Sequence, residues 1–189
     1  MNGYKTLRGP ASAELPEKRS VFICRVRPVT TEAQALAFLA EVRKQCADAR
    51  HNVYAYTIRE NGIARFSDDG EPHGTAGLPT LDALRKRGIV DAAAVTTRYF
   101  GGVLLGTGGL VRAYSQAAAM AVEQAGVAEM AACAFFSFTV GYADYPRVQA
   151  LADRSPALRI ERTAFGDVVT VFASAREEAL PAVQTALRD

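Results

Sequence analysis

The chain has 189 residues, of which 49% are apolar and 22% charged, and its net charge is +2. That length holds one large domain or two small ones, and that composition is ordinary for a folded soluble protein. It excludes a strong polyelectrolyte role for the chain as a whole.

The charge is unevenly placed. Residues 1–128 carry 16 basic against 12 acidic side chains, and residues 129–189 carry 6 against 8. A mildly basic first part fits one anion-facing surface there, and scattered solvated charge fits as well. The cysteines Cys24, Cys46 and Cys133 are odd in number and form no CxxC. A disulfide framework and a zinc knuckle are therefore not expected, and a reducing, cytoplasmic setting is. Residues 1–20 hold no apolar signal-peptide core, and no run approaches the roughly 20 apolar residues of a membrane span.

In chain order, residues 18–29 alternate and read as a strand ended by Pro28. Thr30 or Thr31 is placed to cap a helix with Glu32 in its first turn and Leu36, Phe38, Leu39 and Val42 at helical spacing. Residues 53–59 form a second strand, followed by an Asn61-Gly62 turn. Residues 67–77 form a loop. Residues 78–87 read as a helix stopped by Gly88, and residues 89–100 as a buried strand. A long helix is expected from about Gly109 to Gln124, its alanines allowing close approach to a sheet. The pattern restarts near Gly126. Residues 134–142 form a strand, Asp144 opens a short helix, residues 157–163 and 167–174 form two strands, and Pro181 sits in the first turn of a last helix. The tail is β-α-β-β-α. The simplest reading is α+β with two domains, 1–128 and 129–189.

Two stretches carry candidate chemistry. The first is RYFGGVLLGTGGLVRAY, residues 98–114. Gly101 and Gly106 have the glycine spacing of a P-loop, but Thr107 and Gly108 follow where a lysine is required. The dinucleotide pattern fails at Val111. What remains is a strand-to-helix turn whose free amides face outward, with Thr107 as cap, where an anion can sit. Arg98 and Arg112 would add charge to it. The alternative is that the glycines serve tight packing, and Val103–Leu105 is expected to pack down. Aromatic and arginine side chains on strands can also stack on bases. The candidate anion or nucleic-acid surface therefore takes in His51, Arg98, Tyr99, Gly101 and Gly102. It continues through Gly106, Thr107, Gly108, Gly109 and Arg112.

The second is SDDGEPHGTAG, residues 67–77. Asp68, Asp69 and Glu71 are hard oxygen ligands within four residues, a set that can hold Mg²⁺. The alternative is a solvated turn built from turn-forming residues. No catalytic residue is assigned: there is no GxSxG, no HExxH, and nothing in the spacing joins a cysteine to His51 or His73.

The runs ARHNVYAY, FSDDGEPHGTAG and TRYFGGVLLGTGGLVRAYS, spanning residues 49–115, strongly resemble the YigZ/IMPACT family, also called UPF0029. KRSVFI resembles the family's basic-Ser-x-Phe-Ile strand, with Val21 where relatives usually carry arginine. The resemblance implies a first domain with the fold of the second domain of a small-subunit ribosomal protein, also seen in domain IV of elongation factor G. It implies a ferredoxin-like tail similar to domain V of that factor. Eukaryotic IMPACT regulates translation by competing for the scaffold that activates a starvation kinase, a partner that bacteria lack. The expectation is a non-catalytic binding module for RNA, the ribosome or a translation factor. The rivals are a small Mg²⁺-assisted enzyme acting on a phosphate-bearing substrate, and a protein-interaction scaffold.

Overall fold

The computed structural model describes residues 3–188. Its chain divides into two compact units, residues 4–130 and residues 131–188. Both mix helices and strands, so the α+β, two-unit architecture holds.

The first unit is built on a five-stranded sheet of order β2-β3-β6-β4-β5. Its strands are β2 (Ala11–Glu17), β3 (Ser20–Pro28), β4 (His51–Ile58), β5 (Ile63–Ser67) and β6 (Ala92–Tyr99). Every neighbouring pair is antiparallel. A short strand β1 (Tyr4–Leu7) pairs separately with β7 (Val127–Met130). Helix α1 (Glu32–Gln45) covers one face of the sheet, with Phe38, Leu39 and Val42 against Tyr56, Ala93 and Val95. Helices α2 (Gly77–Arg85) and α3 (Gly106–Ala125) cover the other, against Phe22, Cys24, Val53 and Ala94. The central strand β6 is thus buried on both faces. That is why it reads as an apolar run rather than an alternation.

Alternation in β3 still matters. Phe22, Cys24 and Val26 are at most 1% exposed and lie under α3. Burial raises the Cys24 thiol to about 12, despite the opposing pull of the neighbouring Thr96 hydroxyl and the charge of Arg25. Thr31 caps α1 by accepting from the Gln34 amide at 3.2 Å, with Glu32 in the first turn, as its sequence signature requires. α3 starts at Gly106, three residues earlier than its apolar period suggests. Ala113, Ala117, Ala118 and Ala121 form its buried stripe and set its closeness to the sheet.

The second unit has a three-stranded sheet of order β8-β10-β9: β8 (Cys133–Val140), β9 (Leu158–Phe165) and β10 (Val169–Arg176). Helices α4 (Tyr145–Arg154) and α5 (Leu180–Arg188) pack on one face through Val148, Leu151, Val183 and Leu187. This is the expected β-α-β-β-α order of a ferredoxin-like unit. Among the described residues, no helix is long and apolar enough to cross a membrane.

Ala118 has no exposed surface. Ala118→Leu should cost about 1–3 kcal/mol by overpacking α3 against the sheet, measured by urea unfolding. An unchanged midpoint would contradict so close an approach.

Candidate functional site

The loop 67–77 and the glycine turn do converge, through a buried network beneath the turn. Glu71 is loop-borne, yet its side chain is only 3% exposed. Both of its oxygens accept from Arg98 Nη1, at 2.7 and 3.0 Å. The Tyr114 hydroxyl donates to Glu71 Oε1 at 2.8 Å. Tyr114 stands edge-on to Phe22 at 5.0 Å, and the Arg98 guanidinium lies 5.4 Å from the rings of both Phe22 and Phe100. Burial, then the charge and hydrogen bond of Glu71, push the Tyr114 phenol far above its usual range, so it stays neutral and donating.

Arg98 is therefore not a surface cation. On β6 it shares the face of Ala92 and Ala94 beneath α3, and its side chain is 7% exposed. Its Nε is buried without a partner. Tyr99 points to the opposite face, where its hydroxyl donates to Asp48 at 3.2 Å, away from the turn.

The other two carboxylates serve the backbone. Asp68 Oδ1 accepts from the amides of Ala76 at 3.0 Å and Gly77 at 2.8 Å, and Oδ2 from Gly74 at 2.8 Å. It thus caps α2, whose own N-cap residue, Ala76, cannot. Burial pushes its carboxyl up, but the amides of Gly74, Gly77 and Ala76 together with His73 outweigh that, and the result lies below the usual value. Asp69 takes a left-handed φ of 46°. Its Oδ1 accepts from Arg43 at 2.6 Å and its Oδ2 from the Asn52 amide at 2.7 Å. Its carbonyl accepts from His51 Nδ1 at 2.8 Å, so His51 pins this loop rather than joining an anion surface. The Mg²⁺ expectation for Asp68, Asp69 and Glu71 is corrected accordingly. Their oxygens are engaged by protein donors, and among the described residues no three His, Cys, Asp or Glu side chains are placed to hold a metal.

The glycine turn itself faces outward. Gly101 is a packing residue: a Cβ there would lie 1.9 Å from the Arg19 carbonyl oxygen, and its amide donates to Ser20 Oγ at 3.2 Å. Gly102 and Gly106 take left-handed φ values of 84° and 71°. Thr107 lies inside the first turn of α3 and does not cap it. No side chain caps this helix, and no acidic residue stands in its first turn. Gly106, Thr107 and Gly108 are exposed, and Gly109 is half-buried. Arg112 is exposed and folds back, its Nη1 3.7 Å from where a Gly108 Cβ would stand. Of the stretch expected to pack down, Leu105 is half-buried against the core, whereas Val103 and Leu104 are not. Leu104 is 85% exposed, and Phe100, Val103 and Val111 are exposed beside it.

Sequence reasoning missed Lys18 and Arg19. They are the two central residues of the tight turn joining β2 to β3, with φ of 45° and 69°. Both are exposed, and the turn sits against Gly101. The available signal was a basic pair directly before a strand start.

Glu71→Ala should destabilise the first unit by about 3–5 kcal/mol, because it leaves Arg98 buried and unpaired. Glu71→Leu combined with Arg98→Met should cost less than the single change, and urea unfolding decides. Asp68→Ala should cost about 0.5–2 kcal/mol by removing a cap. The Asp68 contribution is present above the ordinary carboxylate value of about 3.9 and lost as pH falls through its lower folded value. The variant should therefore lose less stability than the native chain between pH of about 5 and about 2. Parallel acid limbs would contradict the cap.

The sequence profile described as the Impact N-terminal domain matches residues 18–122. The IMPACT family member YvyE of Bacillus subtilis is 44% identical over 130 residues, covering 68% of this chain and 60% of its own. This chain thus spans less than two thirds of that relative. An IMPACT family member of Thermus thermophilus is 42% identical over 134 residues, covering 71% of this chain and 72% of its own. A crystal structure of a protein described as hypothetical is similar at a TM-score of 0.67 and 29% identity, covering 99% of this chain and 92% of that one. The match of the domain profile over more than half of the sequence, with these relatives, places the chain in the IMPACT family.

Proposed function

We propose that this protein is a non-catalytic binding module that meets RNA of the translation machinery through the glycine turn. The observation that carries the reading is the exposed, uncapped amide end of the 20-residue helix α3, on a turn whose first glycine, Gly101, packs against the backbone of a cationic hairpin tip. Four amides of a helix N-terminus have no intrahelical partner and favour negative charge. Arg112 lies over the first turn, and the backbone at Arg19 abuts Gly101.

The hairpin tip adds a physical argument. Tight two-residue turns with both central φ values positive are usually Asn-Gly. Lys18 and Arg19 hold that geometry at a cost of about 1–2 kcal/mol each. A costly pair of cations on a hairpin that packs against the glycine turn suits phosphate, and family resemblance to a eukaryotic translational regulator supplies the setting. A second reading has one specific observation behind it. Leu104, Phe100, Val103 and Val111 give the same turn an apolar rim that fits a protein partner.

Lys18→Asn with Arg19→Gly separates stability from binding. The double variant should melt at a higher temperature than the native chain, because it relieves left-handed strain. It should also co-sediment less with ribosomal subunits, and the slope of log K against log salt should fall by about 0.7 for each phosphate it no longer neutralises. Unchanged co-sedimentation with a raised melting temperature would contradict the assignment. Loss of binding in Leu104→Asp, with salt dependence unchanged, would favour the protein partner.

A further inference from the structure

The sheet of the second unit has two chemically opposite faces. Val169, Val171 and Ala173 of β10 face α4 and α5, with Phe136 and Phe138 of β8 beside them. Thr170, Phe172, Ser174 and Arg176 face the other way, where neither helix of this unit packs. Phe135, on the same open face, is 77% exposed. In the register, Phe135 stands opposite Ser174 and Phe172 opposite Ser137. The two phenylalanines are therefore diagonal neighbours on adjacent strands, about 7–8 Å apart.

A β-bulge arranges the rest. The register of β9 against β10 shifts between Phe172 and Ala173, so that Glu161 has no opposite residue. Glu161 and Arg162, although consecutive, both serve the open face. Glu161 accepts from Ser174 Oγ at 2.7 Å, and the Arg162 guanidinium lies 4.1 Å from the Phe172 ring centre. Without the bulge, one of the two would point into the helices.

Charge on the open face is basic on balance. The helical side mixes both signs, with Arg147, Arg154 and Arg188 beside Asp144 and Asp153, and Asp167 lies in the β9–β10 turn. The open face carries Arg159, Arg162 and Arg176 against Glu161. Glu161 is already engaged by Ser174 and stands 3.6 Å from Arg159, while Arg176 reaches Glu178 at 4.0 Å. The Arg159 side chain is 80% exposed.

We infer that this open face is a stacking platform for single-stranded nucleic acid. Every base has a π-face, so an exposed ring beside a planar cation binds single strands with little sequence preference. Phe135 supplies the ring, Arg162 on Phe172 the planar cation, and Arg159 a contact for backbone phosphate. Sheets that recognise RNA use aromatic residues on adjacent strands in this way. A purely apolar partner would want a contiguous apolar patch. Here Ser137, Thr139, Thr170 and Ser174 surround the rings. This surface lies in the other unit from the glycine turn, and the inference does not rest on the reading of that turn.

The test uses the full chain, a fluorescein-labelled oligouridylate of about 12 nucleotides, and a fully paired RNA duplex of the same length. Phe135→Ser and Arg162→Ala should each weaken oligouridylate binding by about tenfold. Phe135→Tyr, which keeps the ring, should bind as the native chain does. Duplex binding should be unchanged in all three variants, because paired bases offer no free face. Phe135 is exposed enough that its variants should melt with the native chain. Lys18→Asn with Arg19→Gly should leave the Phe135→Ser difference intact, which separates this surface from the turn. Equal oligouridylate affinity in native and Phe135→Ser chains would overturn the inference, as would no binding at low salt. If Phe135→Ser instead changes only the sedimenting mass, the face is a protein contact and the inference fails.

Discussion

Everything around the glycine turn depends on one buried ion pair. Glu71 comes from a loop, Arg98 from the end of the central strand and Tyr114 from the third turn of α3. Three segments far apart in sequence are thereby fixed to each other within hydrogen-bond distance. A buried carboxylate and guanidinium are costly to remove from water, and they are tolerated only when each satisfies the other. The Tyr114 hydroxyl adds a donor to the carboxylate, and the Phe22 and Phe100 rings flank the guanidinium. The network is internal. It holds the turn above it without itself meeting solvent.

The turn consequently has the reverse character of its support. Its helix start is uncapped, Gly102, Gly106 and Gly108 are exposed, and Val103 and Leu104 point outward. Gly101 permits the β2–β3 hairpin, with Lys18 and Arg19 at its tip, to approach the turn backbone closely. Helix α2 is built the other way. There Asp68 satisfies three amides at the helix start, and no anion is wanted. The same chain closes one helix end with a carboxylate and leaves the next one open.

Much of the fold was legible. β3, β4 and β6 follow from alternation or an unbroken apolar run, and α1 and α2 from capping and stop signals. β2 was not legible, because Pro16 and Glu14 disguise an edge strand that pairs on one side only. β1 and β7 are four residues each, too short for a period to register. α3 begins before its apolar period does, since Gly106, Gly108 and Gly109 are poor helix formers. The site was legible in part. The motif positions are right, but the charge of Arg98 suggests a surface cation while strand parity puts it with Ala92 and Ala94, under α3. Glu71 finds its partner 27 residues away, and no local rule reveals such a pairing. Asp68 and Asp69 resemble metal ligands because a capping carboxylate and a coordinating one have the same sequence.

The central claim is that the first amides of α3 meet an anion. Hydrogen exchange of the backbone amides at Gly106, Thr107, Gly108 and Gly109, in the free chain and with ribosomal RNA, reads this directly. These groups lack intrahelical partners and should exchange fast in the free chain. RNA should slow them, and high salt should restore fast exchange. Unchanged exchange at these four positions, with slowing elsewhere in the first unit, would contradict the claim.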